Sequence, residues 1–224
     1  MNVGTVDLVD GEVKGRRYVS PKRADQALGT RGRILDAAWD LFTAKGYAAT
    51  SIADVAKAAG VAVDTIYATI GRKPVLLREV VEAAISGAGR PVDPLERGYV
   101  QQIRTRARAA EMLDLYASAI AEMSPRTAPI FAALRDAAGT DADCAALDRE
   151  ISTRRADNML RMTTDLRATG DLREDLSDRR IADTIWATAG WQHYLQLTAE
   201  RGWPVEAFRD HLADTWSRSF LRTP

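Results

Sequence analysis

Between residues 63 and 70 the chain carries Thr65, Tyr67 and Thr69 interleaved with Val63, Asp64 and Ala68. These side chains are short or hydroxylated, a set that can approach a groove closely and exchange hydrogen bonds with its edges. Ile66 and Ile70, four residues apart, share the opposite side of the same turn and face inward. The chemistry on offer is recognition. Catalysis has little to work with: there are two histidines and one cysteine. No His-Glu-x-x-His, Glu-x-x-His or glycine-rich phosphate loop is present, and Glu174-Asp175 sits in a polar, solvated turn. An all-helical enzyme would need a site assembled without any sequence signal, so no enzyme activity, cofactor or metal is expected.

The elements that would hold this surface are short helices. Ile34, Ala38, Leu41 and Phe42 recur at helical spacing until Lys45-Gly46. Thr50-Ser51 opens a second helix, with Ser51 and Asp54 spaced as a capping box and Ile52, Val55, Ala56 and Ala59 as its apolar stripe. Gly60 ends it and lets the turn be tight, Val61 plugs the angle, and a third helix runs from about Val63 to Ile70. Gly71 closes that helix, and Pro74, tolerated in a first turn, starts a fourth that extends to about Ser86.

Beyond a hinge at 87–94, helical spans are expected at 95–123, whole or broken near 101–106, and at 126–138, 141–169, 178–200 and 204–221. Pro125, Gly139, Gly170 and Gly202-Trp203-Pro204 punctuate them. The fold class is all-α: a three-helix head at the N-terminal end and a helical bundle behind it. The organisation expected is a flexible basic arm over 1–28, a helix-turn-helix over 29–73, and a linking helix with its body over 74–224.

Zero net charge conceals an asymmetry. Lys14, Arg16, Arg17, Lys22, Arg23, Arg31 and Arg33 face only Glu12 and Asp25 between residues 11 and 33, whereas from Pro91 onward 21 acids outweigh 18 arginines. A basic front and an acidic back suit a DNA-binding head on a separate body, although the arm's cations serve equally as a solvated tail. The sequence has no apolar run long enough for a membrane span and no signal peptide, and the single Cys144 precludes an internal disulfide. A cytoplasmic setting without membrane contact is expected.

The stretch TRGRILDAAWDLFTAKGYAATSIADVAKAAGVAVDTIYATIGRKPVLL, residues 30–77, resembles the DNA-binding head of the TetR family of regulators. The likeness lies in ILDAA–LF–KGY–ATS, in IADVAxAAGV, and in Thr65-Ile66-Tyr67 followed by Lys73. It implies a DNA-binding repressor that dimerises through its body and leaves a palindromic double-stranded operator when a small effector enters. It also implies DNA contacts from Thr65 and Tyr67, a phosphate contact from Lys73, and hydroxyls and backbone amides presented to the phosphates at Thr50 and Ser51. Val63, Ala68, Thr69 and Ile70 depart from the family's usual residues. Fewer charged base contacts follow, with Val63 or Ala68 able to meet thymine methyls.

In the body, Ile181 and Ile185 share one face, and Val205, Phe208, Leu212, Trp216 and Phe220 form an apolar stripe. Both are read as a dimer face, since the resemblance implies that the last two long helices pair with a twin's; the alternative is a stripe covering its own core. Four of the five tryptophans lie after residue 185. Trp186, Trp191, His193 and Tyr194, with Met112, Tyr116, Phe131, Asn158, Met159 and Met162, are candidates for a mostly apolar effector pocket. The same residue types also serve as plain core. A DNA-binding protein that senses nothing, its body used only for pairing, is the competing reading.

Overall fold

A computed structural model of the chain describes residues 21–87, 93 and 96–222, with side chains from Leu28 onward. It contains α1 (Pro21–Lys45), α2 (Ile52–Ala59), α3 (Val63–Thr69), α4 (Lys73–Ser86), α5 (Gly98–Arg104), α6 (Ala109–Ala138), α7 (Ala142–Ala168), α8 (Asp178–Thr188), α9 (Trp191–Leu195) and α10 (Val205–Phe220). The fold is all-α: a helix-turn-helix head on a helical body. Among the described residues no strand forms, and no helix is long and apolar enough to cross a membrane.

Helix α1 begins at Pro21, a residue suited to a first turn, so 21–28 are helix where an arm was expected. Lys14, Arg16 and Arg17 of the arm and most of the expected hinge lie outside the described residues. The head does not close a core of its own. Ile34, Phe42, Val55, Ile66 and Leu77 pack in one cluster with Ile130 and Leu134 of α6 and Leu147 and Ile151 of α7. A second cluster fills the body, where the other half of α6 meets α5, α7, α8 and α10.

α6 is therefore the shared spine, and it runs unbroken through Pro125 and Pro129. Each proline removes an amide donor, which predicted a boundary at Pro125. Tertiary contacts hold the helix through that stretch. The Trp39 indole of α1 donates to the Arg126 carbonyl at 3.0 Å, and Arg126 Nε donates to the Ala84 carbonyl of α4 at 2.8 Å. The opposite correction falls on 178–200, expected as one helix. It breaks at Ala189-Gly190, where a Cβ on Gly190 would sit 3.0 Å from the Ala187 carbonyl, and α9 continues into a π turn over Gln196–Glu200.

Candidate nucleic-acid interface and effector cavity

α2 and α3 meet at the expected turn. Ser51 caps α2: its hydroxyl accepts from the Asp54 amide at 3.1 Å, while the Ser51 amide donates to Asp54 Oδ2 at 2.9 Å. Donation from the Ser51 hydroxyl at 2.6 Å, and then from its amide, holds the Asp54 carboxyl below the usual carboxylate range. Gly60 adopts φ 66°, a left-handed conformation that ends α2 without strain, and its neighbour Val61 is half-buried against the head core. α3 has no side-chain cap, and Ile66 is its sole fully buried residue.

The rest of α3 faces out. Tyr67 is 52% exposed and Val63 is 37% exposed; Asp64 and Ala68 are exposed, and Thr65 and Thr69 are half-buried. Arg31 braces this helix from α1, donating to the Thr69 carbonyl at 3.2 Å while pairing with Glu79 of α4. The Lys73 ammonium lies 4.1 Å from the centre of the Tyr47 ring, and the Tyr47 hydroxyl donates to Asp141 Oδ2 at 3.0 Å, at the start of α7. Burial lowers the Lys73 pKa and raises that of Tyr47.

At the start of α2 the expectation needs correcting. Thr50 is buried, and its hydroxyl lies within hydrogen-bonding distance of the Gly46 and Leu41 carbonyls, at 2.9 and 3.2 Å. It ties the start of α2 to the end of α1, and its hydroxyl is engaged inside the head. Ser51 remains exposed, but its hydroxyl and amide are engaged by Asp54. Thr50→Val should lower stability by about 0.5–1.5 kcal/mol, the net worth of the buried hydroxyl's hydrogen bond, as urea unfolding at fixed protein concentration would measure.

The stripe nominated for the dimer face is likewise internal. Ile181, Ile185, Phe208, Leu212, Trp216 and Phe220 are all buried within one chain, and only Val205 is half-buried. Trp216 stacks on Tyr116 with ring centres 5.6 Å apart and donates to Thr188 Oγ1 at 2.8 Å. A helix lying on its own neighbours has the same apolar period as one lying on a partner, and here the body core takes that face.

The body encloses a cavity of about 460 Å³ between α5, α6, α7 and the α8–α9 break. Tyr116, Phe131, Asn158, Met159, Met162, Trp186 and Trp191 line it, as does Ile85 from the last turn of α4. Met112, His193 and Tyr194 do not. Met112 is core, Tyr194 packs edge-on against Phe208, and His193 sits 3.3 Å from His211, Nε2 to Nε2. Among the described residues no cluster of three metal-ligating side chains forms. The sequence reading missed the arginines of this wall: Arg97, Arg104, Arg135, Arg154, Arg155 and Arg161 all reach it.

Head, turn and body together define a helix-turn-helix unit joined by α4 to a helical body that holds a cavity. Residues 34–80 match the family described as bacterial regulatory proteins, tetR family. The head is similar to that family over this segment, and the overall fold is shared with solved transcriptional regulators, TetR-family members among them. A regulator from Saccharomonospora viridis in complex with choline is 21% identical, with TM-score 0.67 over 87% of this chain and 99% of that one. The regulator FadR from Bacillus subtilis, in complex with stearoyl-CoA, is 21% identical, with TM-score 0.67 over 82% and 96%. NalD of Pseudomonas aeruginosa, the secondary repressor of the MexAB-OprM multidrug efflux pump, is 19% identical, with TM-score 0.66 over 88% and 98%. No curated protein matches the chain.

Proposed function

We propose that the protein is a cytoplasmic, homodimeric repressor that leaves a palindromic DNA operator when a small, largely apolar effector fills the body cavity. In this reading residues 29–73 grip DNA, and 74–224 sense the effector and pair with a second copy. Val63, Asp64, Thr65, Tyr67, Ala68 and Thr69 form the groove-facing surface, with Ser51 at its margin and Lys73 on a phosphate. The choline and stearoyl-CoA held by the two similar regulators, and the repressor role of NalD, favour a sensing repressor over a body that only pairs.

The observation that carries the reading is the position of α4. Its first residue, Lys73, follows the recognition helix, and Ile85 in its last turn forms part of the cavity wall. α4 is also fastened to α7 by Arg78–Glu150 at 2.8 Å and by Glu82–Arg154 at 2.6 Å, and Arg154 itself lines the cavity. A ligand pressing on Ile85 and Arg154 acts on the helix that aims the head. It can shift the equilibrium only by its difference in affinity for the two states, and a hundredfold release needs about 2.7 kcal/mol. Pairing must use another surface than the buried stripe; Trp203, 38% exposed ahead of α10, is the large apolar side chain available there.

The test is DNA binding by variants. Thr65→Ala and Tyr67→Ala should each weaken operator binding by about 1–3 kcal/mol if the lost bonds are base contacts. Lys73→Ala should weaken binding to every sequence alike and flatten its salt dependence, as fluorescence anisotropy over a range of salt would record. Unchanged binding by all three folded variants would refute the assignment.

A further inference from the structure

We infer that the effector is an amphipathic anion, its carboxylate or similar acidic group held by Arg155 and Arg97 and its apolar part lying along the remainder of the cavity. This rests on the effector-sensing reading above and specifies the ligand's charge.

Arg155 is partly buried in α7 and lines the cavity. One terminal nitrogen, Nη2, donates to the Trp186 and Ala189 carbonyls at 3.0 and 3.3 Å, at the break after α8, and the guanidinium rests on the Trp186 ring at 5.5 Å. Its Nε and Nη1 donate to nothing among the described residues, and no carboxylate lies within ion-pairing distance. Burial pushes its pKa down, which reflects a charge withdrawn from water without an acid to compensate it. A guanidinium in that state stores binding energy for an anion that arrives later.

Arg97 stands in a similar condition. It enters the cavity from the start of α5, and its Nε is buried with no hydrogen-bond partner among the described residues. Buried donors without partners are rare in folded proteins and call for a cause. Both guanidinium groups lie within electrostatic reach of the Tyr116 phenol, whose pKa burial raises and whose hydroxyl donates to Met159 Sδ at 3.4 Å. The other cations of the wall are accounted for. Arg104 pairs with Asp165 at 3.5 Å, Arg135 with Asp148 at 3.5 Å and Arg154 with Glu82 at 2.6 Å, while Arg161 is exposed and bonded to Asn158. Among the described residues, the positive charge of the wall that lacks a counter-ion is thus concentrated at Arg97 and Arg155. Ile103, Ile120, Met123, Phe131 and Ile151 make the rest apolar, which suits a hydrocarbon or aromatic tail.

A purely structural role for Arg155, as a cap on the two carbonyls at the end of α8, uses Nη2 alone and would be met by lysine. It leaves the orphaned Nε of Arg97 unexplained.

The probes are matched pairs: decanoate against methyl decanoate, and 4-phenylbutyrate against its methyl ester, with 3-phenylpropyltrimethylammonium as a cation of similar bulk. Quenching of tryptophan fluorescence in the full chain reads binding, and anisotropy of a labelled operator reads release. Each acid is expected to bind about ten- to a hundredfold more tightly than its ester, the range for a charge-assisted hydrogen bond, and the ammonium least of all. Arg155→Gln and Arg97→Gln should each remove that preference while ester binding persists, and Arg155→Lys should restore part of it. Because Arg155→Gln could loosen the α8–α9 break, Arg97→Met gives an independent reading: it removes an orphaned donor, so it should leave the melting temperature of the ligand-free protein unchanged or raised while acid binding falls. Esters equal to acids in binding and release would overturn the anionic assignment and leave effector sensing standing. Acids that fail to bind at millimolar concentration, or bind equally to the Arg155 and Arg97 variants, would overturn it as well. Acids that bind with the expected preference and never release the operator would instead refute the sensing reading.

Discussion

Trp216→Ala should destabilise the body by about 3–5 kcal/mol, the range for truncating a buried tryptophan. The side chain is fully buried, stacks on Tyr116 at 5.6 Å and donates its indole proton to Thr188, whose own hydroxyl donates to the Thr184 carbonyl at 2.8 Å. The substitution removes the packing of α10 against α6 and α8 and one anchor of the cavity wall together. Urea unfolding followed by circular dichroism, at one protein concentration because pairing shifts apparent stability, would read it. The expected signature is loss of folded protein with no separate dimer-to-monomer step at low denaturant. A folded, stable monomer would instead mean that Trp216 serves a partner chain.

Ile66→Ala should cost about 2–5 kcal/mol, and the loss should appear first in the head. α3 is a seven-residue helix with no side-chain cap, too short to persist alone, and Ile66 is the side chain that fixes it to the core. Hydrogen exchange should therefore accelerate across α3 while α8 keeps most of its protection, and operator binding should fall further than in Tyr67→Ala, which leaves the helix docked. Equal acceleration in α3 and α8 would mean that head and body open as one unit, which their shared core makes a real alternative outcome.

Legibility in the sequence followed locality. The Ser51–Asp54 capping box, the left-handed Gly60, the inward Ile66 and the outward Tyr67 are set by neighbours within one or two turns, and period and residue type were enough to read them. Thr50 was misread because a threonine before an N-cap looks the same whether its hydroxyl turns to a groove or to the Gly46 carbonyl. The stripe from Phe208 to Phe220 was misread for a similar reason. Helical period reports that a face is buried and is silent on whether the cover is the same chain. Pro125 was taken as a boundary because its cost is local, while the bonds around it, from Trp39 and to Ala84, come from residues about 40 to 90 positions away.

The cavity was half legible. Aromatic and methionine residues marked six of its side chains and Asn158 a seventh, but Arg97 and Arg155 carry no pattern that separates them from surface arginines. Their meaning lies in what is missing around them, an acid within reach, and that is a property of three dimensions only.

The most direct measurement is selection of binding sites from a random duplex pool by the intact protein, followed by affinity for the recovered site with wild type, Thr65→Ala and Tyr67→Ala. The account predicts one enriched site with two-fold symmetry and a loss of about 5- to 150-fold in each variant, equivalent to 1–3 kcal/mol. A pool that never converges, or a recovered site that folded α3 variants bind as tightly as wild type, would contradict it.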